Sequence, residues 1–207
     1  MTDDIMLIVN GQAYNCTPIT EPAPTPDVPV AFSQRDARWS GLSLGVSIYA
    51  VGSAGCAVVA ATMLATMAQP DITPHDMVTW LNWNEGFTRP DANGQNAGLL
   101  KWSTLAAHID GMSVLHYHKW RDGPADIDIV RDALARNPQV VQVDFKPATS
   151  ALDTHFVLAL DMTDDDSDID IIDPWTGQHT TLLTAYGRDG WTLPRAVYAM
   201  CEFELDA

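Results

Sequence analysis

Basic residues are scarce in this sequence. Only 11 Lys and Arg stand against 27 Asp and Glu in 207 residues, a formal net charge of −16. A surface that acidic repels polyanions through its long-range field, and no Lys/Arg cluster offsets it. Nucleic acid is therefore excluded as the main partner. Cysteine is also rare: Cys16, Cys56 and Cys201 are the three present. Because that number is odd, at least one thiol is free or pairs with another chain. No apolar run approaches the ~20 residues of a membrane-spanning helix. The opening MTDDIMLIVNGQAY places acids where a secretory signal carries bases, and its apolar run is short. The expectation is a soluble chain, cytoplasmic at synthesis, with no export signal.

What remains is an ordinary globular composition, 46% hydrophobic and 18% charged, sufficient for one sizeable core. Three segments are expected. Residues 1–17 contain IMLIVNGQAYNCT, two apolar runs about Asn10-Gly11, which predict a hairpin. Residues 18–30, PITEPAPTPDVPV, carry five prolines and predict a stiff extended linker. Residues 31–207 form the main domain. An isolated hairpin is marginal in water. Residues 1–30 are therefore read as an element for docking a partner or for self-association, with folding back as an edge strand as the alternative.

Within the domain, helices precede strands. An Ala- and Met-rich helix is predicted from about Ser53–Cys56 through AVVAATMLATMA. A second starts at Thr73-Pro74, with Thr as N-cap and Asp76 in the first turn. A third covers about Gly98 to Ile109, with Leu99, Trp102, Leu105, Ala106 and Ile109 on one face. The strand SVLHYH follows, then a helix over about Ile127 to Arg136. QVVQVDF, THFVLALD, DIDIID and AVYAMCEF read as four strands. This segregation predicts an α+β fold with an antiparallel meander.

One cysteine stands out by its setting. In Gly52-Ser53-Ala54-Gly55-Cys56, small residues end in a cysteine that opens a helix. Helix N-termini carry partial positive charge and favour the thiolate, which is the nucleophile. A buried cysteine on an Ala-rich helix is the plainer alternative. A nucleophilic thiol needs a base, and His155 begins the apolar strand THFVLALD. The base needs an orienting acceptor, and Asp173 ends the next strand, which an acidic turn joins to the first. Asp173-Pro174 alone reads as an ordinary turn. Gln34, in FSQRDARW, could aim an amide N–H at an oxyanion beside the Cys56 N–H, although chemistry alone makes it a polar loop residue.

FSQRDARW, VGSAGCAVVAATM, THFVLAL, IIDPWTG and the following AYG together resemble the papain-like cysteine peptidases, in the stand-alone branch of the bacteriocin-leader-processing (double-glycine) peptidases. The resemblance runs from about Phe32 to the C-terminus, with the motifs in the family's order. It implies Gln34 for the oxyanion hole, Cys56 as nucleophile, His155 as general base and acid, and Asp173 as orienting acid. It also implies a catalytic helix packed on an antiparallel sheet, no cofactor, and a peptide or protein substrate, cell-wall peptide included. Transporter-linked members cut leader peptides after Gly-Gly and are fused to an exporter, and this chain carries none. A phage-encoded or virion-carried protein would need no export signal. Two other functions share the fold: an idle binding module, and an acyl transferase working through the same thioester.

Several tempting features have plainer readings. DMTDDDSD lacks the ordered spacing of a calcium loop and reads as a solvated hairpin tip. His116 and His118 alternate on one side of their strand, where a surface role competes with a metal site. No Cys or His lies at ligand spacing beside them, and no metal is assigned. His75, His108 and His179 fall in helical or turn contexts and read as surface residues. Trp80, Trp83, Trp102 and Trp120 frame a cleft or pack the core, and Trp175 is placed to shield a His–Asp bond.

Overall fold

The computed structural model describes residues 5–9, 12–16, 28–144 and 154–206. Most of the expected Pro-rich linker lies outside them. Strands β1 (Ile5–Val9) and β2 (Gln12–Cys16) pair antiparallel, with Ile5 opposite Cys16 and Val9 opposite Gln12. They form a two-stranded sheet of their own and are not paired to the main one.

The main sheet has six strands: β3 (Met112–Lys119), β4 (Gln139–Asp144), β5 (Thr154–Met162), β6 (Ile169–Asp173), β7 (Gln178–Thr181) and β8 (Val197–Leu205). Their spatial order is β3-β8-β4-β5-β6-β7, and every neighbouring pair is antiparallel. The sheet is open and, with the helices, makes the fold α+β. The meander expectation is corrected on one point. β4 to β7 run as a meander, but β8 inserts between β3 and β4. Its AVYAMCEF run is apolar on both sides, as suits a central strand of a sheet covered on both faces. β7 escaped the sequence reading because QHTT lacks apolar alternation; it is an exposed edge.

Alternation along the strands feeds two cores. Val140, Leu158, Ile172 and Cys201 face one cluster. Their chain neighbours Val141, Val157, Ile171 and Met200 face the other. Period-two side-chain direction forces this split once both faces are covered. The first face is covered by α2 (Cys56–Ala65), α3 (Pro74–Trp83) and α4 (Trp102–Ala106). The second carries α5 (Ile127–Leu134), α6 (Leu182–Tyr186) and α7 (Leu193–Ala196). α2 is buried almost all round, and its small Ala and Val side chains let it lie close against β5.

α3 begins as its sequence dictates. Thr73 Oγ1 accepts from the Asp76 N–H at 3.3 Å, and Asp76 Oδ2 accepts from the Thr73 N–H at 3.2 Å. α4 is shorter than expected. Gly98 takes φ +78°, Leu99 is exposed, and residues 98–100 pair with Phe87 and Thr88 instead of coiling. Entry into the domain is fixed at Val30, whose N–H donates to Thr66 Oγ1 at 2.8 Å. The acidic turn joining β5 to β6 is a solvent-facing tip, organised by Asp165 Oδ1 accepting from Thr163 Oγ1 and Ser167 Oγ. Among the described residues no helix is long and apolar enough to cross a membrane.

Candidate active site

Cys56 is the first residue of α2. A four-residue turn of helix, α1 (Val51–Ala54), precedes it, and Gly55 is both the C-cap of α1 and the N-cap of α2. A Cβ at Gly55 would lie 2.6 Å from the Val51 carbonyl oxygen, so the junction demands glycine. The joint sets the thiol at the start of a fresh helix, where the first N–H groups have no partner inside the helix.

His155 enters from β5 and is buried. Its Nε2 is 2.8 Å from Asp173 Oδ1. That leaves Nδ1 for the thiol, and Cys56 and His155 lie close enough that each shifts the titration of the other. Asp173 ends β6, also buried, and its Oδ1 accepts a second bond from the Trp175 N–H at 2.8 Å. The Tyr186 hydroxyl, at the end of α6, lies close enough to the same carboxylate to help hold its charge. Tyr186 is buried, with its ring centroid 5.5 Å from that of His155. Sequence reading quoted its AYG but gave it no role; an apolar-looking tyrosine carries no other signal. Trp175 stands edge-on to His155 at 6.5 Å, and Arg35 lies over the Trp175 ring at 4.9 Å.

Charge in this cluster is set by opposing effects. Burial pushes the Cys56 thiol up. The imidazolium charge and hydrogen bond of His155, with backbone N–H groups of Phe156 and Ala57, outweigh it, so the thiol titrates below its ordinary value. Burial would lower His155. The Cys56 thiolate and the Asp173 bond outweigh that and raise it to about 9. Asp173, despite burial, is held below the usual carboxylate range by His155, Trp175 and Tyr186. The favoured state is thiolate, imidazolium and carboxylate in a row. Cys201, by contrast, is a free thiol that burial pushes up.

Gln34 is brought to the same neighbourhood by a different route. Its N–H donates to the Pro174 carbonyl at 2.6 Å, and Ser33 Oγ donates to the Trp175 carbonyl at 3.2 Å. The Asp173–Gly177 turn packs against this segment; a Cβ at Gly177 (φ +74°) would come within 3.1 Å of the Ser33 nitrogen. The Gln34 amide Nε2 donates to the Val51 and Gly52 carbonyls, both at a long 3.3 Å, while Oε1 is buried with no partner among the described residues. Gln34 is thus fastened to the loop leading into Cys56, with its amide turned to backbone carbonyls.

Cys56, alone of these four, lines a cleft of about 890 Å³. Phe156 and Thr154, which flank His155 on β5, line it too, as does Trp102. The other tryptophans lie elsewhere. Trp80 stacks on His108 at 4.1 Å, Trp120 stacks on His118 at 5.3 Å, and Trp83 is exposed. His118 is bonded to Glu202 at 2.7 Å, with His116 beside it. His108 is half-buried under Trp80, and His179 lies in a strand, β7, instead of a helix or turn. Among the described residues no three His, Cys, Asp or Glu side chains gather to hold a metal. In comparisons with known proteins, no family model, no curated protein and no solved structure matches this chain.

Proposed function

We propose that this chain is a cysteine peptidase of papain-like fold, resembling the stand-alone double-glycine peptidases, that hydrolyses a peptide bond through a Cys56 thioester. The observation that carries the reading is His155 held between two partners, with Nε2 2.8 Å from Asp173 Oδ1 and its other nitrogen left for a thiol at a helix N-terminus. A histidine so held has a fixed tautomer and orientation, which a base that shuttles one proton requires. An idle binding module has no use for that order or for a depressed thiol.

The thiolate of Cys56 attacks the substrate carbonyl carbon, and the carbonyl π pair moves to oxygen. The Cys56 N–H, without an acceptor in the helix, can donate to that oxyanion. Gln34 joins it when Nε2 gives up one of its two long backbone contacts. The imidazolium of His155 gives its proton to the leaving amine as the C–N bond breaks, leaving an acyl-thioester. His155, now neutral, takes a proton from water, and the resulting hydroxide equivalent displaces the thiolate. Asp173 stays ionised throughout and steadies the imidazolium.

The test is mass spectrometry of an internally quenched peptide library, incubated with wild type and with Cys56→Ala, with and without added amine. Cleavage that Cys56→Ala abolishes supports the reading. Amine-capped products would make the chain an acyl transferase, and unchanged peptides would end the enzyme reading.

A further inference from the structure

The wall of the cleft in front of Cys56 runs against the charge of the whole molecule. The chain carries 27 acidic residues and 11 basic ones. Lys119 and Arg121 line the cleft, and no Asp or Glu does among the described residues. An ammonium on that wall attracts a carboxylate where the acidic surface elsewhere repels one.

Strand register fixes where the nearer cation sits. Lys119 is opposite Ala199 on β8, Ala199 is opposite Gln142 on β4, and Gln142 is opposite Phe156 on β5. All four line the cleft, so one row across four strands forms part of its floor. It begins beside the base, since Phe156 follows His155, and ends at Lys119. Three strand spacings of about 4.8 Å put Lys119 about 14 Å from Phe156. Extended peptide advances about 3.3 Å per residue, and a carboxylate side chain and the lysine stem both reach inward. Lys119 is exposed, its Nζ lying 5.4 Å from the Tyr117 ring centroid, which leaves the ammonium at the surface of the groove.

We infer that the cleft selects peptides carrying an acidic residue three or four positions from the scissile bond, read by Lys119. The inference rests on the peptidase reading for its chemistry, but its recognition step can be measured without cleavage. The probes are internally quenched decapeptides in which a single Asp or Asn is moved stepwise through four positions on each side of the scissile bond. The expected result is a kcat/KM ratio of Asp to Asn of about fivefold, the upper end for an exposed ion pair, at three or four residues from the bond. In Lys119→Glu the ratio inverts, and a Lys peptide becomes preferred at that position. Melting temperatures of both proteins check that the variant is folded. A ratio near one at every position, a peak next to the bond, or a preference that survives Lys119→Glu overturns the inference. Fluorescence anisotropy of the same labelled peptides on Cys56→Ala separates the two ideas. If wild type cleaves nothing but Cys56→Ala holds the Asp peptide more tightly through Lys119, the peptidase reading falls and the acidic preference stands. Cleavage indifferent to charge leaves the peptidase and removes the preference.

Discussion

At the scale of single residues, reactivity rests on how Asp173 is dressed. Its carboxylate takes bonds from His155 and the Trp175 N–H, with the Tyr186 hydroxyl nearby to favour its charge. Asp173→Asn should lower kcat by about 10- to 100-fold, part of the 10²–10⁴ that general acid–base catalysis supplies, because an amide keeps a bond but loses the charge. An unchanged kcat at an unchanged melting temperature would remove Asp173 from the site. Tyr186→Phe should cost about 1 kcal/mol of stability and lower kcat severalfold, since a hydroxyl that favours the charge of a buried carboxylate is lost. The pH dependence follows from the directions of the shifts. kcat/KM should rise through the lowered thiol value and fall through about 9 as His155 loses its proton. A falling limb centred near the ordinary imidazole value of ~6.5 would contradict the ion pair. Asp173 adds its own stability term. A depressed carboxyl stabilises the fold fully above its ordinary ~3.9 and loses that contribution as pH falls through the lowered value. Iodoacetamide near pH 6 should mark Cys56 ahead of Cys201, whose thiol burial raises. Peptide mapping reads that ratio.

At the scale of elements, the decisive joint is Gly55. Gly55→Ala drives a Cβ to 2.6 Å from the Val51 carbonyl oxygen, so α1 and α2 cannot meet as they do. The expected cost is about 1–3 kcal/mol in a urea titration, with Cys56 alkylation slowed as well. Unchanged alkylation in that variant would show that the joint does not set the thiol. The start of α2 was legible in the sequence, because an Ala- and Met-rich run follows Cys56, whereas the separate turn of α1 before Gly55 was not. The start of α3 was legible for the same kind of local reason, a Thr cap followed by proline. What failed to read locally was settled by distant partners. The turn of helix expected at Gly98–Leu100 goes into pairing with Phe87 and Thr88, beyond the reach of the helical i, i+3 and i+4 spacings. The place of β8 between β3 and β4 is likewise a choice of partner and not of propensity. Three candidate residues, Cys56, His155 and Asp173, come together because the β5–β6 hairpin was readable. The amide contacts of Gln34 and the hydroxyl of Tyr186 were not, since both depend on which loop lies over which.

At the scale of the whole molecule, the N-terminal pair β1–β2 makes its own sheet, and the domain is anchored from Val30 onward. Deleting residues 1–27 should therefore leave the melting temperature and peptide cleavage close to those of the full chain, while any self-association or partner binding is lost. Precipitation or unfolding of the shortened protein, followed by size-exclusion chromatography and calorimetry, would assign the hairpin to the core instead.

The two-sided sheet has a consequence for how the protein fails. α2, which carries the nucleophile, packs in one core. Tyr186, which steadies the acid, packs in the other. Phe156 and Val157, the residues that follow the base, take one side each. The thiol is thus a gauge wired to both halves of the interior. Loosening either half should slow alkylation of Cys56 at temperatures where bulk signals of folding are still flat. The chemical pulse of one sulfur atom would then report early wear in either core, and a storage or engineering screen could follow that pulse in place of a melting curve.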